Sequence, residues 1–536
     1  MKPRALPIPV VVCFAISIAG AFLDAQNTPL KQTAYLKASN PGMSDHFAEG
    51  GALPGHTGMG VAVSGDGNTI AVGAPHESSS ARGVNGNEND DSAYNAGAVY
   101  VFARSGGQWA RQAYVKASNT GAGDYFGSYV ALSADGNTMA VAAHWESSAA
   151  TGVNGNQADD SLAQAGAVYI FTRSGTTWTQ QAYLKASNPG RAGSGGEDPG
   201  DGDQFGFSLA LSRDGNTLAV GANSEDSSAA GAKSDQRDDS FSSAGAVYVF
   251  ARTGGTWAQQ AYLKADASTN TGLGDQFGFS VALNANGNTL AVGVYDESGS
   301  GRAVNAPIDR MRGGSGAVYV FGRNGTTWTR EAYLKTWNAE GGDSWGVSVA
   351  LSDEGNTLAT GSLDEDCVCT GVVDARSDVG ATDQKADLST GAVAIFVRNG
   401  GAWSQQAYIK ASNTGQEDWF GVRLALSGDG NTLAAGAPNE DSHAQGINGP
   451  QANDSATEAG AVYVFTRNGG SWAQLAYVKG ANTEAFDEFG GAVALSRDGR
   501  TLVAGAKGED SSARGVNGTH ADNSLDEAGA AYVFTR

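Results

Sequence analysis

Residues Asp124–Lys185 read DYFGSYVALSADGNTMAVAAHWESSAATGVNGNQADDSLAQAGAVYIFTRSGTTWTQQAYLK. Four short runs rich in β-branched and aromatic residues alternate with clusters of Gly, Asn, Asp and Ser, the pattern of strands separated by turns. In the next copy of the same unit the four runs are Phe205–Ser212, Asn216–Ala222, Gly245–Phe250 and Trp257–Lys264. An Asp-Gly pair joins the first run to the second at Asp66, Asp135, Asp214, Asp429 and Asp498, with Asn286-Gly287 and Glu354-Gly355 in the other two copies. Such pairs tolerate the positive φ of a tight hairpin turn. The third and fourth runs are joined as briefly, by Gly-Gly or Gly-Thr before a Trp.

The unit recurs along the whole chain. The Tyr of its A-Y-[LVI]-K element stands at 35, 114, 183, 262, 333, 408 and 477. The Trp that opens the fourth run stands at 109, 178, 257, 328, 403 and 472. Seven units of four antiparallel strands predict an all-β fold, a seven-bladed β-propeller, because a lone four-stranded blade leaves both faces bare whereas a ring of them covers each face with a neighbour. The last unit ends at its third strand, Ala531–Arg536, while an unattached fourth strand, Gln32–Lys37, precedes the first unit. The N-terminal strand is therefore expected to complete the seventh blade and close the ring, leaving no open sheet edges.

The 536 residues hold 34 Lys and Arg against 56 Asp and Glu, a net charge of −22. That balance excludes a basic phosphate-binding surface, so no nucleic acid partner is expected. Only 17% of residues are charged and there is no Gly at every third position, which excludes charge-rich disorder and a collagen helix. Lys2 and Arg4, an apolar run from Val10 to Leu23 and small residues at Ala19, Ala21 and Ala25 read as an export signal over 1–25, followed by a single propeller over 26–536. The chain is thus expected to be secreted, periplasmic or at the cell surface, with no membrane span after cleavage, and monomeric. Cys367 and Cys369 read as a thiol pair in a variable loop, too close for an easy bridge in an extended strand.

The Phe-Gly of the first run, as at Phe126-Gly127, and the Gly-Ala-Pro after the second, at Gly73–Pro75 and Gly436–Pro438, resemble FG-GAP repeats. These are the repeats of the integrin α-chain N-terminal propeller and of many bacterial surface and secreted proteins. The resemblance covers Leu30 to Arg536 and implies a propeller with a binding or adhesion role. Two units depart from it: the first reads as Met59-Gly60 in place of Phe-Gly, and the fifth has Trp345-Gly346. The calcium loop of the family lies between the first two strands. Here that connection is only a DGN hairpin, so no such site carries over to Asp66 or Asp135.

In an up-and-down blade the two short turns share one end and the two long, polar connections share the other. Long loops on a rigid scaffold are where binding is expected. A Glu follows the second strand in every unit: Glu77, Glu146, Glu225, Glu297, Glu365, Glu440 and Glu509. A [D/N]-[D/N]-S element comes later in the loop in five units: Asp90-Asp91, Asp159-Asp160, Asp238-Asp239, Asn453-Asp454 and Asp522-Asn523, each before Ser. Between them, G-[VI]-N-G occurs in four units, as at Gly152–Gly155. Carboxylates and Asn carbonyls suit Ca²⁺; the competing reading is that Asp, Asn and Ser cap turns. The Asp before the first strand (Asp124, Asp203, Asp275, Asp343, Asp418, Asp487) reads as a turn cap. The Lys that ends each fourth strand and the Arg after each third strand read as pairing between blades.

The six His share no register, and G-x-S-x-G, H-E-x-x-H and P-loop motifs are absent. No catalytic residue is singled out, and the cofactor is left open, with Ca²⁺ as the candidate. The function read from the chain is that of a non-catalytic module presenting acidic loops to a protein or glycan. The alternative is a secreted enzyme acting on carbohydrate, its site in the irregular loops Pro189–Asp203 or Asp364–Asp387.

Overall fold

The structure, a computed structural model, describes residues 28–50, 58–190, 202–228, 236, 240–265, 274–374 and 388–536. The chain forms seven antiparallel sheets with up-and-down strand order. In the second blade the strands are Val130–Leu132, Thr138–Ala143, Ala167–Ser174 and Thr177–Leu184. The innermost strand is shorter than its sequence run, because the Phe-Gly motif lies in a turn ahead of it: Tyr125 and Gly127 both have positive φ. In the Asp-Gly hairpins the glycine alone takes the positive φ, as at Gly136. The Asp instead ties the turn together, its Oδ1 accepting from Ser133 Oγ at 2.5 Å and from Asn137 N at 2.9 Å.

The ring closes as expected. Lys31–Leu36 pairs antiparallel with Ala530–Thr535, Tyr35 opposite Tyr532, to form the outer strand of the seventh blade. Apolar cores fill the gaps between consecutive blades: Val99, Val101 and Val115 of the first blade meet Phe126, Val141 and Tyr169 of the second. Leu36, Val503 and Val533 of the seventh meet Phe47, Ile70 and Tyr100 of the first in the same way. Gly166, at φ +76, shows how close the blades come, since a Cβ there would lie 2.2 Å from the Phe205 carbonyl oxygen. That approach explains the Gly that precedes each third strand.

At the short-turn end the inner hairpins form a closed circle of backbone hydrogen bonds. Gly65, Ala134, Arg213, Ala285, Asp353, Gly428 and Arg497 each donate N–H to the carbonyl of the next, and Arg497 returns to Gly65 at 3.2 Å. Asp353 reaches Arg213 at 3.1 Å and also pairs with Arg497, drawing three blades together there.

Six of the seven Arg residues bridge blades, as expected, while Arg104 bonds Asn68 of its own blade. Arg173 Nη1 donates to Gln112 Oε1 and Thr69 Oγ1 of the preceding blade, both at 3.2 Å. Its guanidinium sits 5.3 Å from the Trp178 ring, whose Nε1 donates to the same Gln112. The Lys residues correct the expectation, because their partner lies within their own blade: Lys116 Nζ meets Glu77 Oε2 at 2.8 Å, and both are buried.

The G-[VI]-N-G element folds back over the outer edge of its blade. Val84 bridges Val115, and Asn85 Oδ1 accepts the Tyr114 N–H at 3.0 Å. Asn305 does the same for Tyr333 in the fourth blade, where the sequence pattern is not visible. In the fifth blade this cover is a strand, Val372–Asp374, on Ala407–Ile409. Covering an outer edge blunts edge-to-edge association. Cys367 and Cys369 are joined in a disulfide, contrary to the thiol reading. The loop turns there, so the two Cα atoms come within 5.3 Å rather than the wider spacing of an extended strand.

Candidate functional site

The long-loop face carries the acidic residues singled out in the sequence, in two separate layers. The recurrent Glu is the inner layer. Glu77 Oε1 accepts from Tyr114 OH at 2.7 Å and from Asn40 Nδ2 at 3.1 Å, while Oε2 faces Lys116. Glu146 holds Tyr183, Lys185 and Asn119; Glu440 holds Tyr477, Lys479 and Asn413; Glu225 holds Tyr262, Lys264 and Asn188. Each of these Asn comes from the loop of the preceding blade, so every Glu joins two blades. Burial pushes Lys116 below its ordinary value, against the pull of Glu77. Glu509 is the node of the seventh blade, with Tyr35, Lys37 and Asn482.

The outer layer is the Asp-Ser element. Asp90 accepts from the hydroxyls of Ser80 and Ser92, Asp522 from those of Ser512 and Ser524, and Asp159 from the Ser161 N–H at 3.1 Å. Asp91, Asp160 and Asp454 are exposed. Asp238 and Asp239 lie outside the described residues, as do residues 191–201 and 375–387 of the two irregular loops and the segment 1–25 that reads as an export signal. The Asp before each first strand caps its turn, Asp124 Oδ2 accepting the Gly121 N–H at 2.8 Å. Burial raises these carboxyls, to about 7 at Asp124 and Asp418 and about 8 at Asp487.

The structure corrects the reading of the first unit. Its Phe-Gly equivalent is Phe47-Ala48, not Met59-Gly60. Phe47 packs on Tyr100 and Phe102 at 5.5 and 6.3 Å, as Phe126 does on Tyr169 and Phe171 at 5.3 and 6.2 Å. Asp45 caps the turn before it through Gly42. An insertion then separates this turn from the first strand, Val61–Val63. Asp45-His46-Phe47 thus stands where other units have Asp124-Tyr125-Phe126, and the sequence signal was the D-x-F triplet itself.

The inner strands surround an axial channel of about 270 Å³. Around its mouth on the long-loop face the units differ from one another. Phe207, Phe279, Val347, Leu363 and Val422 form an apolar arc joined by Tyr295 and Trp419. Opposite lies an ionisable arc. His46 and His76 rings are 4.4 Å apart, with Glu49 beside both; His76 meets Tyr125, and Tyr125 meets Trp145. His144 Nδ1 lies 2.9 Å from Ser128 Oγ, and burial lowers its imidazole to about 4. Burial disfavours the charge on His46, but Glu49 and Glu527 outweigh it and raise the imidazole. Arg423 is buried in the channel wall, its Nε donating to the Gly491 carbonyl at 3.2 Å. A mouth that is apolar on one side and charged on the other suits an amphipathic group.

The FG-GAP repeat profile matches residues 109–171 and 403–465. The propeller carries FG-GAP repeats. Each matched window of the FG-GAP propeller opens at the Trp of one blade's outer strand and ends in the third strand of the next, so the repeat is offset from the blade. No curated protein matches the chain. Among solved structures, similarity extends to a mitotic checkpoint complex chain at 13% identity, covering 100% of this chain and 96% of that one, with a TM-score of 0.45. A periplasmic gluconolactonase of Pseudomonas aeruginosa is 13% identical over 85% of this chain and 98% of its own, with a TM-score of 0.43. A putative 6-phosphogluconolactonase from Bacteroides uniformis is 12% identical over 78% and 85%, with a TM-score of 0.42.

Proposed function

We propose that the FG-GAP propeller is an exported, monomeric binding module, a single domain over 26–536 after a leader over 1–25, whose long-loop face takes a protein or glycan partner. One observation carries this reading. Among the described residues, the exposed large apolar side chains are Met43, Tyr94, Met311, Val368, Val372 and Phe486; all but Val372, which starts the strand on the outer edge of the fifth blade, belong to long loops of that face. Exposed apolar side chains confined to the loops of one face are contacts that a partner could cover. The short-turn face offers none. For calcium, the inner Glu carboxylates already hold a lysine and two neutral donors, so the outer Asp91, Asp160 and Asp454 are the acids open to the ion.

The test applies the labelled chain to a glycan array and a panel of extracellular proteins. Tyr94→Ser with Phe486→Ser should abolish whatever binding is seen, while Thr176→Lys on the opposite face should leave it intact. Binding that follows Thr176→Lys, or no ligand on either surface, overturns the proposal. A second reading, an exported enzyme acting on carbohydrate, draws on the ionisable arc at the axial mouth; turnover of a glycoside panel lost in Glu49→Gln would support it.

A further inference from the structure

We infer that His46, Glu49 and His76 form a single-copy site for a divalent transition-metal ion such as Zn²⁺ at the axial mouth. One nitrogen of each imidazole and one carboxylate oxygen lie within 4.8 Å of one another. His76 Nε2 is 3.4 Å from Glu49 Oε2, and His46 Nδ1 is 3.9 Å from Glu49 Oε1. Tetrahedral zinc with bonds of about 2.0–2.1 Å holds its ligand atoms about 3.3 Å apart, so the pair His76–Glu49 already fits and the others close by rotation of exposed-edge side chains.

The outer contacts of both rings point the same way. His46 Nε2 lies 3.1 Å from Glu527 Oε2, which only accepts. His76 Nδ1 lies 3.2 Å from Asn95 Oδ1, and Asn95 Nδ2 lies 3.0 Å from Tyr125 OH. In its neutral form each ring, bonded outward to these oxygens, carries its proton on the outer nitrogen and turns a lone pair inward. His46 Nδ1 is buried without a hydrogen-bond partner. Two lone pairs and a carboxylate converge on one point, an arrangement a cation resolves. Outer oxygens that fix the tautomer of ligating histidines are a regular part of such sites.

Two further facts separate this cluster from the scaffold. The six other units close the same turns without it: Tyr125, Gln204, Gln276, Ser344, Trp419 and Glu488 stand where His46 does. Both imidazoles also keep some exposure, 17% and 18%, so an ion has a route in and a position left for water. Two imidazoles with one carboxylate suit Zn²⁺, Ni²⁺ or Cu²⁺ and not Ca²⁺ or Mg²⁺. The site stands whether the long-loop face binds a partner or performs catalysis.

The full chain, stripped with chelator, is titrated with Zn²⁺ by calorimetry and with Co²⁺ by visible absorption. One ion per chain is expected, with Ca²⁺ failing to compete. Double substitution His46→Gln and His76→Gln should abolish it, His144→Gln should leave it, and Asn95→Ala should weaken it by about 10–100-fold. X-ray absorption of the zinc-loaded wild type should show two imidazoles and oxygen, a readout that does not depend on any variant folding. No binding, binding that survives the double substitution, or a zinc shell without imidazole overturns the proposal; a clamp of two imidazolium ions on Glu49 is then the remaining account of the cluster.

Discussion

Lys37 and Glu509, 472 positions apart in the chain, meet at 2.7 Å with both side chains buried. The same Lys–Glu–Tyr–Asn node occurs inside blades whose strands are contiguous, as at Lys264 and Glu225. The closing strand therefore carries the full set of blade contacts. Lys37→Ala would strand a buried carboxylate, at a cost of about 3–5 kcal/mol. Urea denaturation should show a loss of that size, and Lys264→Ala a similar one. Deleting Gln32–Lys37 should expose the edge of Ala530–Thr535 and cause aggregation on heating. Unchanged stability in both variants would contradict closure by this strand.

Asp124, Asp418 and Asp487 set a pH dependence. Their folded values, about 7, 7 and 8, exceed the ordinary carboxyl value of 3.8. The folded chain thus holds protons that the unfolded chain releases, and their contribution to stability falls as pH rises from about 4 through 8. His144, lowered to about 4, acts oppositely between that value and 6.5. The difference between wild type and a chain carrying Asn at all three positions isolates the Asp term. The Asn chain should gain melting temperature relative to wild type as pH goes from 5.5 to 8.5, and a constant difference would refute it.

The Arg clasp has a gap between the sixth and seventh blades. Where Gln112 and Gln181 accept from Arg173 and Arg252, the sixth blade has Leu475, and Arg536 is left with Nε and Nη1 unpartnered. Leu475→Gln supplies the missing acceptor. A hydrogen bond to a charged group is worth about 1.5–3 kcal/mol, part of it offset by the lost apolar packing of Leu475. A net gain of about 1 kcal/mol in chemical denaturation is expected, and a loss would show that the Leu contact dominates.

Calcium on the long loops is checked by melting with and without chelator. Each inner Glu faces a lysine ammonium, so an added cation meets repulsion there and only the outer Asp residues remain. The shift with excess Ca²⁺ is expected to stay below the about 2.7 kcal/mol of a saturated site at a hundredfold excess over Kd. Glu146→Gln should destabilise equally in chelator and in Ca²⁺, because what it removes is the partner of Lys185. A destabilisation seen only with Ca²⁺ present would make Glu146 a ligand.

The sequence by itself determined the blade. Four strands to a blade, short and long connections, and the identity of the closing strand all follow from local alternation of apolar and turn residues, repeated until the register is clear except at the entry to the first unit, where Phe47-Ala48 and not Met59-Gly60 takes the Phe-Gly place. It also placed the acids on one face, since strand direction decides which loops are neighbours. Their partners were not legible: Glu77 joins Lys116 and Tyr114 of its own blade and Asn40 of the blade before, and local pattern does not say which buried charges meet. The axial mouth was still less so. His46 and Glu49 enter the first blade, His76 follows its second strand, Asn95 lies in its long loop, and Glu527 belongs to the seventh. Repetition hides such residues, because they are the positions that do not repeat. Only closure of the ring brings the seventh blade against the first and sets these five side chains around one point.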